Sequence, residues 1–359
     1  MLSDNERTRY HNALRKLKNS QLYDRFAYWH YQYAQEGGAH QGPAFAPWHR
    51  EFINRYEIAL KEFDPTVSLP YWDSVLDQNL PNPLDSILWT DDFAGRTYDI
   101  GYVNTGSFGD WKTIAVNNRD PVPDKTDPEF QNYNRILGGT KIKRLFNTTG
   151  QLFTEEIVQG ILTNNSIHRI LTSPTAREGC SVKMRWTNEL PYSLEVAHGT
   201  IHNYIGGDFG NPTPEEQENS YPQPSIFCHT PAHYLSNPMY PFYDENNLPL
   251  KNSDGLSNIY SEFYQYEPRP MCNEFTLNCG SKYLFCDRSH GLLRCASKIK
   301  LGGNCTGFTN GEDACFRGHC ENGVCVAGGG SEFDPFQQEA WSSHFVPSSE
   351  DGGDMPGTK

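Results

Sequence analysis

Five of the twelve histidines fall where imidazoles can converge. His30, His40 and His49 lie close together early in the chain, His40 in Gly37-Gly38-Ala39-His40 and His49 in Pro47-Trp48-His49-Arg50. His198 and His202 form an H-x-x-x-H pair. Side chains four residues apart on a helix share a face about one turn apart, so both rings can reach one metal ion. Neutral imidazole is the common ligand form, and all-imidazole ligation without cysteine or carboxylate suits copper or zinc. A single buried histidine is more often a hydrogen-bonded core residue than a ligand. Five of them on both sides of one predicted helical bundle favour a metal. No G-x-S-x-G, G-x-G-x-x-G, Walker-type or H-E-x-x-H pattern occurs, which removes the commonest hydrolase, dinucleotide, phosphate-loop and zinc-protease chemistries.

The elements that must position these rings are helical. Ser3 and Glu6 form a capping-box pattern, and Tyr10, Ala13, Leu14 and Leu17 follow at helical spacing up to Ser20. A second helix is predicted from Leu22 to Ala34, carrying His30, and a third from Pro47 to Phe63. In the third, His49, Phe52, Ile53, Tyr56 and Leu60 trace a single buried stripe, which points His49 into the core. Short helices are predicted over Thr154 to Leu162 and Pro191 to Tyr204, the latter with its proline at the first helical position.

The run His40-Gln41-Gly42-Pro43-Ala44-Phe45-Ala46-Pro47-Trp48-His49-Arg50-Glu51-Phe52, followed by Leu69-Pro70-Tyr71-Trp72-Asp73, resembles the first copper site of the tyrosinase family of type-3 copper proteins. The run from His198 to Gly207 is similar to the start of its second site. The resemblance covers about residues 3 to 210. It implies a mainly α fold, a four-helix bundle with long loops that holds two copper ions, binds dioxygen between them and oxidises phenols or catechols to quinones. It assigns His30, His40 and His49 to the first copper, and His198 and His202 to the second. Arg50 and Asp73 are candidate partners of the ligands, with structural salt bridges as their other role; Trp48 and Phe45 are expected to be packing residues.

The departures bear on activity. The family supplies its sixth ligand from a further helix with a D-P-x-F-x-x-H-H-like motif, and here Gly206-Gly207-Asp208-Phe209 passes into Pro212-Thr213-Pro214 with no paired histidine. The fourth helix is therefore expected to be missing, through splicing or a mis-assembled gene, and the chain to bind less than two copper ions with little oxidase activity. His229 and His233, in a Pro-punctuated stretch, are weak replacements. Gly38 stands where some relatives place a cross-linking cysteine, so no thioether forms. Gly199 follows His198 where monophenol oxidases often carry Asn, which with Glu195 as a candidate water-holding carboxylate leans toward catechols.

The 359 residues carry a net charge of -14, which disfavours a nucleic-acid partner, and no apolar run approaches the roughly 18 residues of a membrane span. Aromatics make up 13% of the chain, fitting long loops packed by rings. Residues 1–212 are expected to form the copper domain with its second site incomplete. A Pro-rich connector follows over 213–270, holding nine of the 24 prolines. Residues 271–326 hold eight of the ten cysteines and read as a disulfide module, and 327–359 as a disordered tail. The module's resemblance is to the extension of animal, especially nematode, tyrosinase-like proteins. Clustered cysteines imply a secreted protein, and sequons at Asn147, Asn164 and Asn304 are compatible with glycosylation. Met1 to Lys18 has no apolar signal core, so the start is expected to lie inside a longer precursor. The alternatives to an oxidase are an inert secreted structural or matrix protein, with the module as its partner-binding part, and a dioxygen carrier.

Overall fold

The structure, a computed structural model, describes residues 1–36, 38–40, 42–98, 100–114, 139–147, 150–163, 193–207 and 231–328. The first helix, α1 (Asp4–Asn19), begins as its sequence predicts: Ser3 Oγ accepts the Glu6 amide, and the Ser3 amide donates to the Glu6 carboxylate at 2.8 Å. Its inner face buries Ala13, Leu14 and Leu17 against Leu60, Val67 and Trp111. That face seats α1 beside α2 (Leu22–Glu36) and α3 (Phe45–Lys61), the two helices that carry His30 and His49.

The single stripe expected on α3 is corrected in one place. Trp48 and Leu60 are fully buried, but Ile53 is 48% exposed, and Glu51 takes an inner position instead. A carboxylate is tolerated there because Arg55 and Tyr260 both donate to it. Beyond α3 come the short α4 (Val75–Gln78), a small hairpin β1 (Thr97–Tyr98) and β2 (Tyr102–Val103), then α5 (Glu155–Thr163) and α6 (Leu194–Ile205). Helix α6 starts behind Ser193 and not at Pro191, which lies outside the described residues. It ends at Gly206 and Gly207, both at positive φ. A Cβ on Gly206 would stand 2.0 Å from the Leu145 carbonyl oxygen, so this close approach needs glycine.

The stretch expected as a connector does more than connect from residue 231 onward. Its hairpin, β3 (Pro238–Tyr243) and β4 (Pro249–Lys251), inserts Met239 and Phe242 into a cluster with Tyr33, Ala39 and Trp48, and Trp48 Nε1 donates to the Tyr240 carbonyl at 2.7 Å. The short α7 (Tyr260–Phe263) supplies the hydroxyl on Glu51. Proline excludes a long helix here, but not an edge hairpin.

The cysteine-rich segment forms four disulfides in two interleaved pairs: Cys272–Cys286 with Cys279–Cys295, and Cys305–Cys320 with Cys315–Cys325. They staple the hairpins β5 (Leu284–Asp287) with β6 (Arg294–Ser297) and β7 (Gly318–Glu321) with β8 (Val324–Ala327). The module docks on the helical part. Leu76 and Leu80 enter its two apolar clusters, and Tyr283 joins Asp4 and Arg7 of α1. Four disulfides fit an oxidising compartment. Among the described residues no helix is long and apolar enough to cross a membrane. Cys180, Cys228, the sequon at Asn164, the expected gap after Gly207 and the tail from 329 lie outside the described residues.

Candidate metal centre

Three elements bring the first three histidines together. Helix α2 presents His30, α3 presents His49, and the short loop between them carries His40, since Trp48 and Phe52 pack beside His30 and fix α2 against α3. Each ring offers a ligand nitrogen, and these nitrogens lie within 4.8 Å of one another. The Nε2 atoms of His30 and His49 are 3.3 Å apart. Two nitrogens at the usual metal–imidazole distance of about 2.0–2.1 Å and a tetrahedral angle are separated by about 3.3 Å, so this pair needs no rearrangement to hold one ion.

The second set sits opposite. On α6, Nε2 of His202 is 2.8 Å from Nε2 of His198, shorter than the tetrahedral spacing but close to the about 2.9 Å of two imidazoles at a right angle on one tetragonal copper ion. His198 faces both His40 and His49, each with ring centroids 6.2 Å from its own. Phe45 lies between the sets, its ring centroid 4.4 Å from His49 and 5.1 Å from His198.

The outer nitrogens decide how the rings are aimed. His49 Nδ1 donates to the Phe45 carbonyl at 2.9 Å and His198 Nδ1 to the Glu195 carbonyl at 3.3 Å, the backbone tether that orients metal-binding imidazoles and leaves Nε2 as a lone-pair donor. His40 Nδ1 is buried without a hydrogen bond from the protein. A buried nitrogen left without a protein partner beside other imidazoles suits a cation or a water. Burial, reinforced by neighbouring imidazoles, lowers His30 and His198 to about 4 and His49 to about 3, and drives His40 further down. The rings are therefore neutral at physiological pH, the state that binds metal.

All five predicted histidines thus meet in one place. The accessory expectations fare differently. Arg50 reaches away from the cluster, donating to the Tyr264 hydroxyl and the Ser257 carbonyl, each at 3.1 Å, and Asp73 pairs with Arg269 at 2.8 Å. Asp73 takes the salt-bridge role, whereas Arg50 is held by these hydrogen bonds and by the rings of Tyr260 and Tyr264. Glu195 accepts the Gly42 amide at 3.2 Å, and Trp48 is packed and 1% exposed. His233 does not group with His198 and His202; its Nδ1 accepts the Ala44 amide at 3.4 Å. Phe45 is more than packing, since its carbonyl aims His49. The signal for that was its place four residues before His49, where a helical carbonyl meets the side chain.

The common central domain of tyrosinase matches residues 20–229. A tyrosinase-like protein of Caenorhabditis elegans, tyr-3, is 39% identical over 357 residues, covering 91% of this chain and 46% of that protein. The tyrosinase of Streptomyces antibioticus is 37% identical over 123 residues, 31% of this chain and 43% of that one. A tyrosinase-like protein of Pinctada maxima is 26% identical over 308 residues, 76% of this chain and 61% of that one. The chain thus spans about half the length of these curated relatives. With more than half its residues matched by the domain and three of its histidines gathered where they could hold a metal ion, this chain belongs to the tyrosinase family.

Proposed function

We propose that His30, His40 and His49 hold one copper ion, that His198 and His202 form part of a second site, and that the centre serves oxidation of phenols or catechols to quinones with dioxygen. The observation that carries this is the convergence of five imidazoles from α2, the following loop, α3 and α6, with His198 facing His40 and His49. Copper, when bound, supplies the exchange of electrons with dioxygen and the phenol. The protein's part is to orient and desolvate. The carbonyls of Phe45 and Glu195 aim the rings of His49 and His198, and the apolar body of Phe45 keeps water from the space between the two sets. Neutral rings bind copper without first shedding protons.

One observation favours the inert reading as its rival. Among the described residues no third ligand joins His198 and His202. The alignment with the nematode relative is 357 positions long yet takes in 91% of a 359-residue chain, so part of it faces gaps here, in keeping with a lost helix. On that view the fold persists as a secreted structural or matrix protein. Copper content of the purified chain, measured beside catechol turnover, separates the two. Copper held through His49 together with catechol turnover above that of His49→Ala, however small, supports the oxidase, and a chain that takes up no copper through His49 supports the structural protein. Gly199 has open space around it, so Gly199→Asn tests whether that position governs monophenol oxidation.

A further inference from the structure

The loop from Gly38 to Ala44 carries His40, and its fixed points come from outside the first histidine set. Ala44 is the N-cap of α3, and its amide, like the others of the first turn, has no acceptor within the helix. His233 provides one through Nδ1 at 3.4 Å, from a ring only 7% exposed. The same ring presses on Gly42, where a Cβ would lie 2.9 Å from three ring carbons. At the other end of the loop, a Cβ on Gly38 would stand 2.7 Å from the Ala232 carbonyl oxygen. The turn that bears His233 is itself pinned: buried Asn252 donates from Nδ2 to the carbonyls of Ala232 at 2.8 Å and Tyr234 at 2.9 Å. Glu195, from the helix of the second histidine pair, takes the Gly42 amide.

We propose that His233 is a positioning residue for His40, holding the 38–44 loop through Ala44 and Gly42. A neutral imidazole that accepts an amide on Nδ1 carries its proton on Nε2, so His233 serves the loop as acceptor and wedge and not as a replacement ligand. The first histidine set is then not encoded by residues 22–61 alone. It depends on a turn nearly two hundred residues downstream, and Glu195 ties the same loop to α6. The effect on metal rests on the copper reading above; the effect on the loop does not.

Amide hydrogen exchange of the full-length, metal-free chain tests the loop. In His233→Ala the Ala44 amide should exchange roughly two- to tenfold faster, the range expected for one lost hydrogen bond, while α1 amides keep their rates. His233→Gln, which restores an acceptor, should recover much of the protection, and Gly42→Ala, which pushes the ring aside, should reproduce the loss. Unchanged exchange at Ala44 in both His233→Ala and Gly42→Ala overturns the proposal. If His233→Ala also speeds exchange in α1, Gly42→Ala decides. Zinc titration then reads the consequence: affinity that depends on His49 should weaken in His233→Ala by a similar factor, and equal affinity with a loosened loop overturns the role for His40. A wild-type chain with no His49-dependent zinc binding defeats the copper reading instead, and the exchange rates still judge His233.

Discussion

His40 and His198 stack with ring centroids 6.2 Å apart and planes inclined by 25°, so the loop of the first histidine set meets the helix of the second ring to ring. The two sets share a wall but differ in readiness. His30, His40 and His49 stand as a complete set of three, whereas His198 and His202 lack a third partner among the described residues.

Metal uptake should therefore be unequal. The purified chain is expected to bind close to one copper ion, to lose it in His49→Ala and to keep most of it in His198→Ala. Catechol turnover should be small, because a two-electron oxidation by dioxygen calls for both ions. Elemental analysis showing two ions per chain, with brisk quinone formation, would sink this prediction.

Acid should destabilise the metal-free fold. Burial holds His30 and His198 at about 4 and His49 at about 3, whereas a histidine in the unfolded chain titrates near about 6.5. Above the unfolded value neither state takes up protons at these rings, so they leave stability unchanged. As pH falls below it, the unfolded chain binds protons that the folded rings refuse, and stability is lost until the folded values are reached. Urea melts should show a plateau above about pH 7 and a decline toward about pH 4, shallower in His49→Ala and His198→Ala. An identical slope in those variants would count against the assignment.

What the sequence disclosed follows from what local spacing can encode. His198 and His202 were legible because a helix turns four residues into one face, and the Ser3–Glu6 cap because it is complete within four residues. Glu51 was not legible. Its burial depends on Tyr260, 209 residues away, and nothing near Glu51 announces that partner. Ile53 shows the converse, since periodicity marks an apolar flank without saying whether anything covers it. Prolines in 231–270 correctly excluded a long helix, but the role of Met239 and Phe242 in covering Trp48 is a tertiary fact.

Two glycines on α6 should respond in opposite directions. Gly199 sits within the helix with nothing within 4 Å of an added Cβ, so Gly199→Ala should stabilise the chain by about 0.5–1 kcal/mol through helix propensity. Gly206 ends the helix at φ +59, and its amide donates to the His202 carbonyl at 2.9 Å. Gly206→Ala drives a Cβ into the Leu145 carbonyl and should cost about 1–3 kcal/mol while loosening the end of the helix that bears His202. Thermal melts of the two variants give the signs, and a stabilising Gly206→Ala would contradict the packing described.

The seam between the helical part and the disulfide module should depend on Asp77. This residue of α4 is 2% exposed and accepts from the Ser86 hydroxyl at 2.6 Å and from Trp72 Nε1, with Ser297 of the module as a further partner. Burial raises its carboxyl, and those donors work against the rise. Leu76 and Leu80, on either side in sequence, enter the module's apolar clusters, so Asp77 satisfies the polar groups that the docked surfaces strand between them. Asp77→Ala leaves those donors unpaired, each at about 1–3 kcal/mol, and a total loss of about 3 kcal/mol or more is expected. Asp77→Asn keeps one acceptor oxygen and should lose less. Urea melts of the oxidised chain rank the variants, and limited proteolysis shows whether the module is released. An Asp77→Ala chain as stable as wild type, with the module still protected, would mean that apolar docking alone holds the seam.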